Sequence, residues 1–175
     1  MVLAPIKNCS RLRLLTYKDL HVIAGWDKDP EINRLTGRVA RENDELDQWW
    51  NDIMRDRSRM NFAITDNEGN LIGDVALEQI IWRTREAELR ISVGNKAYWG
   101  LGYGTEAVME VVELGFVAMN LDRIYLRVQE DNVRAIRSYT KAGFRKVARL
   151  VANGRLEGSV DLVLMQMLRD SQAGQ

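Results

Sequence analysis

Apolar and polar residues alternate at two periods along this chain, and the switches between the periods mark its elements. Arg11 to Leu15 reads Arg-Leu-Arg-Leu-Leu, which predicts a first strand with one buried face. Thr16, with Asp19 three residues on, forms a near-capping box that starts a helix running to about Gly25. Asp27 to Arg38 is polar and interrupted by Pro30 and Gly37, so a short helical turn at most is expected there. Leu46, Trp49, Trp50 and Ile53 fall at helical spacing and predict a second helix from about Glu42 to Arg57.

The period then shortens. Met60 to Thr65 and Leu71 to Ile81 read as strands around an Asp66 to Asn70 turn, which makes a hairpin, with Gly73 marking a bulge. Trp82 to Arg85 is turn-like. Glu86 to Val93 alternates Ala87, Leu89, Ile91 and Val93 against Glu86, Glu88, Arg90 and Ser92, a fourth strand. A glycine-rich turn leads into a helical pattern from Glu106 to Ala118. Leu121 to Val128 is a fifth strand. Asp131-Asn132 opens a helix to about Lys141, which Gly143 ends. Phe144 to Val151 and Gly158 to Met167 are the last strands, around an Asn153-Gly154 turn.

The order is strand, two helices, three strands, helix, strand, helix, two strands. Short turns make the three central strands antiparallel, and the helix between the fourth and fifth requires a parallel crossover. The expected fold class is therefore α+β, a mixed sheet with helices on its faces. Residues 1–175 are read as one domain, with 1–10 an irregular lead-in and 170–175 a frayed tail.

Charge changes little in this picture. The 25 basic and 25 acidic residues balance, so no field of one sign argues for nucleic acid or an anionic membrane. Cys9 is the single cysteine, which removes an internal disulfide and a cysteine-rich metal site and fits a cytoplasmic protein. No apolar run approaches the roughly 20 residues of a membrane span, and the start lacks a signal-peptide core.

The chemistry gathers at Tyr98-Trp-Gly-Leu-Gly-Tyr-Gly-Thr-Glu106. A strand, a turn with Gly100, Gly102 and Gly104, and a helix N-terminus together cradle an anion: backbone approaches closely, amides converge, and the helix dipole lies behind them. A P-loop is absent, because no Gly-x-x-x-x-Gly-Lys-Ser/Thr run occurs. A dinucleotide site would follow the first strand of a βαβ unit, whereas three antiparallel strands precede this turn. By itself the turn is equally well read as the plain end of a strand and start of a helix.

A second motif lies one strand downstream, Asn132-Val-Arg-Ala135-Ile136-Arg-Ser-Tyr139-Thr-Lys141-Ala-Gly143-Phe144. With Trp99-Gly-Leu-Gly-Tyr-Gly104 before it, this run resembles the GNAT acetyltransferase superfamily, and within it the branch of ribosomal-protein N-terminal and spermidine acetyltransferases. The resemblance spans nearly the whole chain. It implies an enzyme that moves an acetyl group from acetyl-CoA to an amine acceptor, a small molecule or a peptide N-terminus, with no metal. A non-catalytic acyl-CoA sensor of the same fold is the alternative.

The resemblance also implies roles. The amides of about Leu101 to Thr105, with Tyr103 between, hold the CoA pyrophosphate. Trp99 stands where the family's turn often begins with Gln or Arg, and because the cradle is backbone, binding is expected to survive. The strand edge Ile91, Ser92, Val93, Gly94 receives the pantetheine arm, with the Val93 amide placed to polarise the thioester carbonyl. Tyr139 is the general acid for the leaving thiolate, although an aromatic at that spacing is also a core residue. Asn132 is both a helix N-cap and a pantetheine contact, with Ala135 beside it.

Glu88 is the best-placed general base if it faces the cleft, and an exposed carboxylate paired with Arg90 or Arg83 is the alternative; Glu86 is the reserve. His21, the single histidine, reads as helix surface, and Cys9 has no histidine near it, so direct attack by the amine in a ternary complex is expected. Asp27, Asp29, Glu31, Glu42, Asp44, Glu45 and Asp47 are either a cation-attracting mouth or, with more weight, a solvated face. The final strands are able to pair across a homodimer.

Overall fold

The computed structural model describes residues 11–152 and 160–169. The elements run β1 (Leu12–Leu14), α1 (Tyr17–Asp27), α2 (Pro30–Thr36), α3 (Leu46–Arg55), β2 (Met60–Thr65), β3 (Leu71–Ile81), β4 (Glu86–Ser92), α4 (Tyr103–Glu113), β5 (Arg123–Gln129), α5 (Val133–Ala142), β6 (Arg145–Leu150) and β7 (Leu162–Leu168). The strands form one seven-stranded mixed sheet in the order β1-β2-β3-β4-β5-β7-β6. β1 to β4 pair antiparallel in sequence, β4 pairs parallel with β5, and β7 inserts antiparallel between β5 and β6. The Asn153-Gly154 turn, Cys9, the lead-in and the tail from Asp170 lie outside the described residues.

The larger core lies where α4 packs on the sheet. Ala107, Val108, Val111 and Val112 repeat at helical spacing and meet Leu77, Ala87, Leu89, Ile124 and Leu126, all buried. Full burial of each large aliphatic side chain contributes about 2 kcal/mol. A π-helical turn, Leu114–Ala118, extends α4. Gly115 in that turn is pressed against the sheet, since a Cβ there would stand 2.8 Å from Ile124 Cδ1. A smaller cluster of Leu20, Ala24 and Leu46 takes in Trp49, Trp50 and Ile53 and ties α1 to α3.

Three local readings are corrected. The stretch after Asp27 holds a full helix, α2, rather than a single turn. Asp29 caps it by accepting from the Glu31 and Ile32 amides, Pro30 opens it, and Gly37 closes it at φ +63°. Pro30 and Gly37 are thus its two end signals, not interruptions. Three helices, not two, separate β1 from β2. The helix expected over Glu42 to Arg57 is shorter, because Asn43–Glu45 forms a 3₁₀ turn before α3. α4 begins at Tyr103 rather than Glu106, since Gly102 at φ +95° serves as its N-cap.

The hairpin is confirmed, and its irregularity sits beside Gly73: Ile64 opposes Gly73 while Thr65 opposes Leu71. Gly73 is also a close approach, because a Cβ there would stand 2.3 Å from the Ser92 carbonyl oxygen on β4. In the hairpin turn, Asp66 accepts from the Asn70 side chain, the Tyr98 hydroxyl and the Asn70 and Glu68 amides, which hold its carboxyl down at about 2. Tyr98 thereby ties the turn to the chain just ahead of the glycines.

Candidate active site

β4 and β5 are paired for only three residues each, Glu86 to Glu88 against Arg123 to Tyr125. Beyond Glu88 the strands part, because β5 continues alongside β7 while β4 stays with β3. A cleft of about 670 Å³ opens in the split. Its walls come from β4, β5, the glycine turn, α5 and the end of α2.

The glycine turn forms one end. Gly100 and Gly102 adopt φ +79° and +95°, the left-handed region that favours glycine, and no atom lies within 4 Å of a Cβ built at either. The first intrahelical bond of α4 is Glu106 N to Gly102 O at 3.0 Å, so the amides of Tyr103 to Thr105 have no partner a turn back along the helix, while the Leu101 amide reaches the Tyr98 carbonyl at 3.5 Å. Amides without helical partners, open space and a helix N-terminus suit a phosphate group. Arg134, Arg137 and Lys141 line the same cleft from α5. The donor set fits the pyrophosphate of CoA.

Trp99 contributes by side chain as well. Its Nε1 donates to the Val93 carbonyl oxygen at 2.6 Å, and the Arg134 guanidinium lies 3.7 Å from the centre of its ring. The residue that departs from the family's Gln or Arg therefore seats a cation from another helix.

The turn, β4 edge and α5 residues singled out in the sequence largely converge. Glu88, Ile91, Ser92, Val93, Trp99, Gly100, Gly102, Gly104, Thr105, Asn132, Ala135 and Tyr139 all line the cleft. Leu101 is exposed at the tip of the turn and outside that lining. Tyr103 turns its ring to Tyr98, 5.2 Å away, and to Arg11. Gly94 is packed under Trp26 of α1, whose ring an added Cβ would meet at 2.0 Å. Glu86 pairs with Arg123 at 2.8 Å and is likewise absent from the lining.

Among the described residues the Val93 amide has no hydrogen-bond partner, and neither does the Tyr139 hydroxyl. Tyr139 packs edge-on to Phe144, with centroids 6.1 Å apart, so it serves the core as well. Burial pushes its hydroxyl up to about 12, and the positive charge of Arg90 opposes that rise. Asn132 caps α5, its Oδ1 accepting from the Ala135 amide at 3.1 Å. Thr105 and Ser138 are joined through their hydroxyl oxygens at 2.7 Å, which locks α4 to α5 beneath the glycine turn.

Glu88 is buried and faces the cleft, and its partner is Arg127 of β5, not Arg90 or Arg83. Arg127 lies in the fifth strand, to which the sequence reading gave no site role, and nothing local in the sequence marked it. Arg38 and Arg90 were also missed as site residues. Arg38 follows α2 and makes a partly buried fork on Asp74, with Asp27 3.7 Å away. Arg90 donates to the Thr36 carbonyl at the end of α2. None of Asp27, Asp29, Glu31, Glu42, Asp44, Glu45 and Asp47 lines the cleft; Lys96 pairs with Asp29 and Glu31, and Lys28 with Glu42. His21 is exposed beside Tyr17.

A family profile described as an acetyltransferase (GNAT) domain matches residues 11–145. The spermidine N(1)-acetyltransferase of Vibrio cholerae serotype O1 is 30% identical over 160 residues, 89% of this chain and 92% of that protein. The crystal structure of spermidine N-acetyltransferase from Vibrio cholerae in complex with CoA and spermine superposes with a TM-score of 0.84 at 28% identity, covering 93% of this chain and 97% of that one. A dodecameric structure of the Vibrio cholerae enzyme superposes at 0.80 with 27% identity, covering 93% and 95%.

Proposed function

The chain belongs to the acetyltransferase (GNAT) family and acetylates an amine from acetyl-CoA, and we propose that it does so by direct attack of the amine within the β4–β5 split. Acetyl-CoA supplies the activated acetyl group as a thioester. The unpartnered Tyr139 hydroxyl in that split carries this reading.

The Gly100 to Thr105 backbone, with Arg134, Arg137 and Lys141, holds the phosphates. The Val93 amide donates to the thioester carbonyl, favouring the charge that builds there. Glu88, directly or through water, takes the proton that the acceptor ammonium loses before attack. Tyr139 gives its proton to the departing thiolate, and the nearby Arg90 charge eases that release. These roles are supported by convergence of the residues on one cleft.

Spermidine acetyltransferases among the relatives support a polyamine as the first acceptor to test. A homo-oligomer is supported by the dodecameric relative and by β6, an edge strand whose every residue is exposed. Cytoplasmic placement is part of the proposal; among the described residues no helix is long and apolar enough to cross a membrane.

Initial rates of free-thiol release with both substrates varied test the direct route. Intersecting double-reciprocal lines are expected, and parallel lines would overturn direct attack in favour of an acetylated enzyme.

A further inference from the structure

The cleft lining includes the glycine turn, proposed above to hold the phosphates, and the end of α2, where Arg90 of β4 donates to the Thr36 carbonyl. The acceptor enters at the latter, because the cradle occupies the former. Among the described residues the charges there do not match a polycation. Glu88 is the single carboxylate lining the cleft among the described residues, and both its oxygens already accept from Arg127. Among the described residues no second carboxylate lines the cleft to meet a further ammonium of a polyamine, and burying one unpaired costs several kcal/mol.

Arginines stand there instead. Arg38 is committed to Asp74 and Asp27. Arg90 is not so committed. It donates to the Thr36 carbonyl at 3.0 Å, and its nearest carboxylate, Glu78, lies 3.9 Å away and is held more tightly by Arg59. A guanidinium with spare N–H groups in a fixed plane matches a carboxylate fork. Arg90 lies two residues from Glu88 on the same face of β4, so a molecule anchored at Arg90 presents its amine toward Glu88.

We infer that the acceptor carries a carboxylate near the amine it presents, as an amino acid does, and that Arg90 holds that carboxylate. This rests on the transfer reading above and names its substrate class.

Acceptor pairs that differ only by the carboxylate decide it: lysine against cadaverine and ornithine against putrescine, with spermidine alongside, read as free thiol released from acetyl-CoA. The carboxylate-bearing member is expected to show a kcat/KM at least about ten-fold higher. Arg90→Gln is expected to collapse that ratio by ten-fold or more, Arg90→Lys to restore part of it, and neither to move the KM for acetyl-CoA. Preference for spermidine or for the decarboxylated members, thiol release with no carboxylate-bearing amine, or equal losses on both members in Arg90→Gln would overturn the inference. Failure of acetyl-CoA to raise the melting temperature would instead overturn the transfer reading itself.

Discussion

Arg127 closes a fork on Glu88 at the point where β4 and β5 part, with Nε 3.0 Å from Oε1 and Nη2 2.6 Å from Oε2. The pair both spans the apex of the split and occupies the carboxylate proposed as general base. Glu88→Gln is therefore expected to lower kcat by about ten-fold or more while leaving the Kd for acetyl-CoA unchanged, measured by initial rates and calorimetry. Arg127→Met leaves a carboxylate unpaired at a site 3% exposed. It is expected to cost about 2 kcal/mol in urea unfolding, below the loss for a wholly buried pair because the guanidinium is 41% exposed.

Tyr139→Phe keeps the contact with Phe144 and removes only the hydroxyl. Turnover is expected to fall about ten-fold or more with the acetyl-CoA affinity retained. Unchanged turnover with an established acceptor would remove Tyr139 from the mechanism. The hydroxyl also has a stability signature. Its folded pKa is raised from 10.0 to about 12 by burial, so its contribution is complete below about 10 and is lost as pH rises through about 12. Alkaline unfolding of Tyr139→Phe should lack that component.

Gly102→Ala places a side chain at φ +95°, which costs about 1 kcal/mol of strain, and into space that no protein atom occupies within 4 Å. The expected result is a modest drop in melting temperature with a loss of acetyl-CoA affinity of ten-fold or more by calorimetry. An affinity unchanged within two-fold would mean that the turn is not the phosphate cradle.

Asp27 is buried, and neither carboxylate oxygen has a hydrogen-bond partner among the described residues. Burial pushes its carboxyl up from 3.8; Arg38 opposes that shift and Asp74 adds to it. A raised folded pKa means that its contribution is complete below the unfolded pKa and is lost as pH rises through the folded one. Asp27→Asn is therefore expected to melt higher than the parent at pH 7, with the gain vanishing below about pH 4, in a pH series of calorimetric scans. Arg38 keeps its fork on Asp74 in that variant.

Legibility in the sequence followed the range of the interaction that decides each feature. The β2–β3 hairpin, the β4 alternation and α5 with its Asn132 cap and Gly143 end depend on neighbours a few residues apart, and they were read correctly. α2 was under-read although its signals were local, because Pro30 and Gly37 end a helix as readily as they interrupt one. Gly94 was assigned to the cofactor by its place in the strand, and only the approach of Trp26 from α1 shows it as a packing glycine.

The sequence by itself determined the mixed sheet, the parallel crossover and the glycine turn at the start of α4, since periodicity, turn chemistry and φ demands act along the chain. Only the tertiary structure decided which charges reach the cleft. Glu88 meets Arg127, Trp99 meets Arg134 and Arg38 meets Asp74 across separations of more than thirty residues, while the acidic residues around α2 and α3 stay outside the cleft. Such pairings depend on strand register and helix placement, which no local pattern encodes, and with them the proposed acceptor moves from a polycation toward an amine that carries its own carboxylate.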